Sequence, residues 1–532
     1  MPTLNRRRLL RLGSLSSAAA VLPRESDAPQ RSPIAWTARA SGDMPPPDRA
    51  ALMLSRAAFG ARPGELAALR QPGGVDAWLE RQLDPAGIDD SAVETVLASQ
   101  LPSLAMPAPE LWALSQERGQ INPIVQGLRI ASLYRQIFSQ RQLFEVMVDF
   151  WSDHLSINQA AGNPRVLKTV DDRDVIRRHA LGRFRDLLGA SAHSPAMLLY
   201  LDNDSNTRRA PNENYARELM ELHSLGVARD GQPYSETDVK EVARCFTGWT
   251  WNPGRQDADQ AGRFAFNAGN HDQGVKTVLG QPIPANLGQR DGDMVIDLLC
   301  SHPATARFLA TKLVRRFVAD DPLGEVPALV DAVAKTYADT DGDIKAMLRT
   351  ILRSETFAGS FATHGGKLSR PMDHVVRALR GLDLQPADLG ADFAAREFTG
   401  FVAALIGGAG FLTRMNHVPF TWETPDGFPD IKEKWTSTGL LLARWNFGLA
   451  LVEGGVLRGY APTAGRPASL STAGAIVDFW TERLLHRALL PEDRAGLVDY
   501  LADGAGEDGP PAAGREPYLL ALILDSPYFV WR

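Results

Sequence analysis

The sequence predicts a mainly α protein, a large helical array or bundle with one small β-hairpin. Apolar residues recur every three or four positions from residue 48 onward, which is the period of an amphipathic helix. Only the region around residues 264–279 has short apolar runs separated by an Asn-, Gly- and Asp-rich turn, a pattern typical of paired strands. The chain has 532 residues, enough for one large or two ordinary domains.

Composition indicates a globular protein and argues against nucleic-acid binding. Hydrophobic residues make up 44% of the chain and charged residues 23%, as in ordinary soluble domains. The formal net charge is −6, whereas a nucleic-acid binder usually has a strongly basic domain. The two cysteines, Cys245 and Cys300, lie in helical, half-apolar segments. We expect two buried thiols there, and a single disulfide is the alternative.

Residues 1–22 have the layout of a twin-arginine export signal. Arg6 and Arg7 stand before one further residue and two leucines, and a weakly apolar stretch rich in Gly, Ser and Ala follows. The pattern predicts a periplasmic or secreted protein, and a cytosolic chain with an unrelated basic start is the alternative. Residues 23–46 are rich in Pro, Ser, Asp and Arg, which is typical of a disordered linker. No later segment is apolar over about eighteen residues, so we expect no transmembrane span in the mature chain.

From residue 47 to residue 532 we expect one large helical domain. The broadest apolar face runs from Pro123 to His154. Pro211 fits the first turn of a later polar helix, and Gly226 fits its end. A Gly- and Thr-containing stretch near residue 360 is a candidate sub-boundary, although a single continuous array is the preferred interpretation.

Local patterns predict two smaller features. Ser235 and Asp238 have the spacing of a capping box, which predicts a helix that continues through Cys245. Phe264–Phe266 and Lys276–Leu279 flank the turn-rich segment, and we expect them to pair as a hairpin. No internal repeat of fixed period is present.

The densest polar cluster lies in residues 211–226. Glu218 and Glu221 lie one helical turn apart, and two such carboxylates can chelate a divalent cation or share a proton. The imidazole of His154 or His223 could complete the site, either as a metal ligand or by moving a proton. The alternative is a solvated, ion-paired helix face, because Arg217 lies four positions from Glu221. The sequence leaves both interpretations open.

Other polar and aromatic residues are weaker candidates. Arg315 could bind an anionic substrate group or pair with a nearby aspartate. Trp249 could belong to a sugar-binding platform or to the core. His271 could be oriented by the adjacent Asp272, or that pair could serve only the turn. The remaining candidates, for capping the polar helix or binding substrate, are Asp202, Asn212, Asn214 and Arg217.

Several sequence blocks resemble the bacterial family called domain of unknown function 1800. The blocks are residues 150–155, 212–226, 266–280 and 302–317, with a Pro-Asp-Gly-Phe-Pro loop at 425–429 and Trp435. The match covers roughly residues 47–532. The resemblance implies a large, mostly helical, exported protein without an established activity. It also implies a companion from a second exported family with a sulfatase- or phosphatase-like look. Asp153 and Phe428 depart from the family pattern, so the resemblance assigns neither a site role.

The leading functional hypothesis is a hydrolase-type enzyme of the cell envelope. Glu218 and Glu221 would act with histidine, with or without a divalent metal, on an envelope polymer or polysaccharide. No phosphate-binding loop, dinucleotide fingerprint, haem attachment motif or esterase nucleophile elbow is present, which argues against those chemistries. The alternative is a non-catalytic binding or assembly partner of a co-exported envelope protein.

Overall fold

The computed structural model describes Trp36 and residues 41–160, 165–227 and 233–532. The expected export signal and most of the expected linker lie outside these described residues. At the end of the linker, Ser41–Asp43 form a 3-10 turn and Met44 is buried. Trp36–Arg532 form one compact unit, and a helix, Glu355–His364, continues through the candidate sub-boundary near residue 360.

The first part of the described chain is helical and builds one wall of the site described below. Asp48 begins the first helix, because its side chain accepts a hydrogen bond from the Ala51 N–H over 2.8 Å. The helices in order are α1 Arg49–Arg56, α2 Glu65–Leu69, α3 Gly74–Leu83, α4 Ser91–Gln100, α5 Ala108–Gln116, α6 Ile121–Phe138, α7 Gln142–His154, α8 Lys168–Asp171, α9 Phe184–Ala192 and α10 Pro195–Tyr200.

The middle of the chain contains the polar helix and all the strands of the described residues. Its helices are α11 Asn214–Glu221, α12 Glu236–Cys245, α13 Arg290–Ser301, α14 Pro303–Phe317, α15 Pro322–Glu325, α16 Pro327–Asp339, α17 Ile344–Leu352 and α18 Glu355–His364. Its strands are β1 Trp249–Trp251, β2 Phe264–Phe266, β3 Lys276–Val278 and β4 Gln281–Ile283.

The last part is again helical and packs against the first. Its helices are α19 Pro371–Gly381, α20 Arg396–Ile406, α21 Phe411–Arg414, α22 Thr438–Val452, α23 Ala473–Leu485, α24 Pro491–Ala502, α25 Glu516–Leu524 and α26 Pro527–Val530. Backbone hydrogen bonds between Lys367 and Arg532, 2.8 and 2.9 Å long, fix the last residues beside the start of α19. The predicted mainly α class is confirmed. No helix of the described residues is both long and apolar enough to cross a membrane.

Several sequence expectations hold. Ser235 and Asp238 form the capping box at the start of α12, with side chains accepting from both backbone N–H groups. Cys245 and Cys300 are both buried, free thiols. The apolar region from Pro123 to His154 is helical, but it is divided into α6 and α7.

Two local expectations are wrong in detail. The predicted strands exist but do not pair with each other: β1 pairs with β2, and β3 pairs with β4. The reason is the turn between β3 and β4, where Leu279 and Gly280 both have positive φ and reverse the chain at once. The polar helix α11 begins at Asn214, after Pro211, because the Asn212 side chain accepts the Asn214 N–H over 3.0 Å.

Candidate functional site

A cavity of about 200 Å³ lies where the end of α7 meets α14 and the loop after residue 425. It combines acidic, basic and aromatic side chains. The lining residues are Phe150, Asp153, His154, Lys312, Arg315, Asp426, Gly427, Phe428, Pro429, Asp430 and Ile431. We call this space the Lys312 cavity.

Gly427 allows the loop to close one side of the cavity. Its φ of +73° lies in the left-handed region that disfavours side chains. A Cβ added at this position would overlap the backbone carbonyl of Asp153, at the end of α7. Only glycine therefore lets the loop approach this backbone, and the approach places Asp426 and Phe428 at the cavity.

Lys312 is the distinctive side chain of the cavity. It projects from α14, is half-buried, and lies with its amine 5.6 Å from the centre of the Phe308 ring. Among the described residues it makes no hydrogen bond or ion pair within ordinary distance. Burial lowers the pKa of Lys312 to about 8, and the charge of Arg315 acts in the same direction. The carboxylates of Asp430 and Asp153 oppose this shift without reversing it.

Behind the cavity lies a buried network of arginines and aspartates. Arg370 is its centre: it contacts Asp149, lies 3.0 Å from Asp153, and lies 3.3 Å and 3.7 Å from Asp373 and Asp430. Two further arginines complete the network. Arg316 pairs with Asp149, Asp373 and Asp430. Arg532 pairs with Asp373. Such a network holds five separate chain segments in one arrangement.

The aspartates of this network have different electrostatic environments. Burial raises the pKa of Asp153 well above its usual range, and the neighbouring Asp149 charge adds to the effect despite Arg370. Asp373 is buried too, but the charges of Arg370, Arg532 and Arg316 hold its pKa well below the usual range. Burial also acts to raise the pKa of Asp430, but the charges of Arg316, Arg370 and Lys367 lower it to about 2. Of these three aspartates, Asp153 is therefore the one whose environment favours the protonated form.

His154 joins the cavity to the segment that follows the polar helix. Its Nε2 lies 3.0 Å from the backbone carbonyl oxygen of His223, which can only accept, so Nε2 carries the hydrogen. Burial lowers the pKa of His154 well below its usual range and that of His223 to about 3, and the charge of Lys312 adds to both shifts. Both imidazoles are therefore neutral. Nδ1 of His154 is a buried acceptor without a partner among the described residues.

The two glutamates of the predicted pair are not among the residues that line this cavity. Glu218 and Glu221 are both half-buried on α11. Burial raises the pKa of Glu218, and the charges of Glu221 and Asp426 add to the shift. Asp426 itself is exposed and accepts a hydrogen bond from the Trp422 indole over 3.0 Å. Its charge also acts on Lys312, so Asp426 links the glutamates electrostatically to the cavity.

The other polar residues of the predicted cluster serve the local structure. Arg217 makes two hydrogen bonds to Glu236, of 2.7 and 2.8 Å, and a third to Glu213, which fits the ion-paired interpretation of this face. The Asn212 amide donates to the Asp202 carbonyl, and the Asn214 amide donates to the Leu201 carbonyl. These contacts hold the chain before α11, and neither asparagine lines the Lys312 cavity.

The remaining candidates lie elsewhere in the structure. His271 is fully buried and contacts Asp291 over 3.1 Å, so the acid that orients it is not the adjacent Asp272. Asp272 pairs with Arg244 and accepts the Gly274 N–H, which is turn chemistry. Trp249 is fully buried against aromatic rings and offers no binding platform.

The expected metal site is not assembled. Within the part of the chain that the structure describes, no group of three or more His, Cys, Asp or Glu side chains could hold a metal ion. The bond of His154 Nε2 to a backbone carbonyl uses one of its two possible ligand atoms. Glu218, Glu221 and His154 therefore do not form the predicted metal-binding group. The side chain of Asp202 is exposed, and its backbone carbonyl accepts the hydrogen bond from the Asn212 amide.

No local motif in the sequence indicates that Lys312 is a site residue, although His154 and Arg315, which also line the cavity, are both predicted candidates. Lys312 lies in a block used for the family resemblance, and its spacing from Arg315 places both on one face of α14. That spacing was the one sequence feature from which a site role for Lys312 could have been predicted. Asp153, Arg370 and Asp430 had no comparable local signal, because they meet only in the folded chain.

Together, the fold and this site define a large helical protein with a lysine-containing cavity that is backed by a buried charge network. The chain belongs to the family described as "Protein of unknown function (DUF1800)", whose model matches residues 52–531. Searches of curated proteins and of solved structures give no match. The family supplies no activity, so the function must be argued from the site.

Proposed function

We propose that this chain is a hydrolase-type enzyme whose acid–base chemistry takes place in the Lys312 cavity. The observation that carries the proposal is that Lys312, without an ion pair among the described residues, shares this cavity with Asp153. Burial lowers the pKa of Lys312 to about 8 and raises that of Asp153, so near pH 7 each group holds more of its neutral form than an exposed residue of the same type would. A neutral amine can remove a proton from water, and a neutral carboxyl can give one to a leaving group.

In this proposal Glu218 is a second group, besides Asp153, that can donate a proton. Its carboxyl makes no hydrogen bond or ion pair of ordinary length with the described residues, and burial raises its pKa. It therefore holds a proton more readily than an exposed glutamate does. Glu221 strengthens that tendency through its charge. His154 is held neutral, so we assign it hydrogen bonding to substrate and not proton transfer.

The proposed substrate is an envelope polymer, with polysaccharide as the first class to test, and the proposed location is the periplasm or the outside of the cell. The support for export is the pattern of Arg6 and Arg7 before a weakly apolar stretch. The support for glycosidic hydrolysis is the presence of groups that can act as acid and base at one cavity.

The test compares hydrolysis by wild-type protein and by Lys312→Met, Asp153→Asn and Glu218→Gln variants. Dye-labelled polysaccharides and nitrophenyl glycosides serve as substrates. We expect Lys312→Met to lower the rate by about 100-fold or more, as for other proton-transfer groups. Lys335→Met is the matched control, because Lys335 is highly exposed on α16 and pairs with Asp339. Equal rates for Lys312→Met and wild type would refute the proposal.

A second candidate function is that of a binding partner for a co-exported protein. The observation that favours it is an apolar face on α22, where Leu442, Trp445 and Leu449 are 52%, 47% and 39% exposed. The occupant would be the sulfatase- or phosphatase-like companion that the family resemblance implies. Co-expression of the two proteins tests this function. Co-purification that is lost in a Leu442→Ser/Trp445→Ser variant would support it, and separate elution of the wild-type proteins would reject it.

A further inference from the structure

Arg315 and Arg316 are adjacent in sequence but differ completely in their contacts. Arg316 is buried and pairs with three aspartates of the network behind the cavity. Arg315 lines the cavity, and its only hydrogen bond within the described residues runs from Nε to the Asp320 carbonyl over 3.1 Å. Its two terminal amino groups therefore remain available for a bidentate contact with an anion.

The acidic residues of the cavity do not neutralise Arg315. Asp430 lies 3.2 Å from Arg316 and 3.7 Å from Arg370, and Asp153 lies 3.0 Å from Arg370. Asp426 is exposed and is held by hydrogen bonds from Trp422 and Thr424. The acidic groups near the cavity thus have partners of their own, whereas Arg315 and Lys312 have no acidic partner among the described residues.

His154 requires a hydrogen-bond donor from a ligand, whereas Arg315 requires an acceptor. Because its Nε2 donates to the His223 carbonyl, its Nδ1 is a hydrogen-bond acceptor. This atom is buried and has no partner among the described residues, while the side chain lines the cavity. Leaving a buried acceptor unsatisfied is unfavourable, so a ligand that brings a hydroxyl donor would remove this cost.

We propose that the Lys312 cavity binds a sugar unit that carries an anionic group, with Arg315 contacting the anion and Nδ1 of His154 accepting a sugar hydroxyl. The inference deepens the proposed function and rests on it for the choice of a sugar. The cavity volume of about 200 Å³ suits one such unit and not a long segment. Phe150 and Phe428 supply apolar walls for the ring. The substrate class is then an acidic polysaccharide whose charge is a carboxylate, a sulfate ester or a phosphate ester.

Calorimetric titration of the mature, full-length protein tests the inference without any hydrolysis. The probes are glucuronate, glucose 6-sulfate and glucose 6-phosphate, with uncharged glucose as the comparison. We expect at least one acidic sugar to bind at concentrations up to about 10 mM and to bind more tightly than glucose. The preferred probe distinguishes the three sources of charge. Failure of all three to bind better than glucose would overturn the inference.

Variants assign the binding to the named atoms. Arg315→Gln should weaken binding of the preferred probe by about 10-fold or more, because a charge-assisted bond is lost. Arg315→Lys should restore part of the affinity. His154→Gln keeps a donor for the His223 carbonyl but removes the Nδ1 acceptor, so it should also weaken binding. Arg307→Gln is the control, since Arg307 is an exposed residue of the same helix that pairs with Asp331. Unchanged affinity in Arg315→Gln would reject the role of Arg315.

The two proposals fail in different ways. Lys312→Met should lower the rate of hydrolysis by about 100-fold or more and retain most of the affinity for the acidic sugar, which Arg315 provides. Acidic sugar binding that depends on Arg315, together with hydrolysis that is indifferent to Lys312, would reject the proposed function and leave this inference in place. Hydrolysis that depends on Lys312 but acts equally well on neutral and acidic sugars would reject this inference alone.

Discussion

His154 donates its Nε2 hydrogen to the backbone carbonyl of His223 over 3.0 Å. The bond connects the end of α7 to the chain that leaves α11, and therefore connects the cavity to the predicted glutamate helix. It also determines which imidazole nitrogen of His154 is an acceptor. A hydrogen bond between a side chain and a backbone atom thus sets both the local packing and the chemistry available to a ligand.

The first prediction concerns this bond. His154→Ala removes the donor and leaves the buried His223 carbonyl without it, whereas His154→Gln can place an amide N–H near the same oxygen. We expect His154→Ala to lower the free energy of unfolding by about 1–3 kcal/mol more than His154→Gln does. Urea unfolding of the two variants measures the difference. Equal losses would mean that the bond contributes nothing to stability.

A second prediction concerns acid sensitivity. Burial lowers the pKa of His223 to about 3 in the folded protein, against about 6.5 in the unfolded chain. Between these values the unfolded chain binds one more proton, so the stability contributed by neutral His223 is complete above pH 6.5 and declines as the pH falls. As the pH falls below 6.5, the free energy of unfolding of wild type should therefore decrease, relative to that of His223→Gln, by about 1.4 kcal/mol for each pH unit. Unfolding curves at pH 7 and pH 5 test this, and a difference independent of pH would contradict it.

Gly427 supports a third prediction. Gly427→Ala introduces a Cβ that overlaps the backbone carbonyl of Asp153, and this main-chain group cannot simply rotate away. Gly459 is the matched control, since its φ is also positive, at +81°, but an added Cβ meets nothing within 4 Å. We expect Gly427→Ala to be less stable than Gly459→Ala by about 1–3 kcal/mol, the usual cost of overpacking. Thermal unfolding gives the comparison, and similar losses would argue against the close approach.

Arg370 carries the fourth prediction. Arg370→Met leaves the buried carboxylate of Asp373 without its main counter-charge and removes a partner of Asp149 and Asp153. Breaking a buried ion network in this way typically costs about 3–5 kcal/mol. Arg183→Met is the control, because the exposed pair of Arg183 with Asp341 should contribute less than about 1 kcal/mol. Comparable stability of the two variants would show that the buried network is not a major source of stability.

The sequence was informative where the determinants are local. The capping box at Ser235 and Asp238 depends on two residues three positions apart, and it was predictable for that reason. Asp153 and Arg370 are 217 positions apart, and no periodicity or spacing can connect them. The strand pairing was wrong for a related reason. β2 and β3 are both real, but their partners depend on the connection through Gly254 and on the turn at Gly280, which strand propensity does not encode.

The residues of the candidate site also divide into those that the local sequence reveals and those that only the tertiary structure reveals. The sequence identified Glu218, His154 and Arg315 because their residue types are chemically conspicuous. It did not identify Lys312, since a lysine on a helix is normally a solvated side chain. What makes Lys312 unusual is its enclosure by α7 and by the loop at Gly427, and that enclosure is a property of the tertiary structure.

The last prediction uses this property of Lys312. Its pKa is lowered to about 8 in the folded protein, whereas an unfolded lysine titrates near 10.4. At pH 7 the wild type therefore bears the cost of a buried ammonium group, and Lys312→Met should be the more stable protein. From about pH 8 to about pH 10.4 the folded lysine is neutral while the unfolded one is still charged, so the advantage of the variant should shrink by up to about 3 kcal/mol. Denaturant unfolding at pH 7, 8, 9 and 10 measures it, with the exposed Lys335→Met as a variant that should show no such trend. A constant advantage across this range would mean that Lys312 titrates like an exposed lysine, and the proposed base of the cavity would then be protonated at every physiological pH.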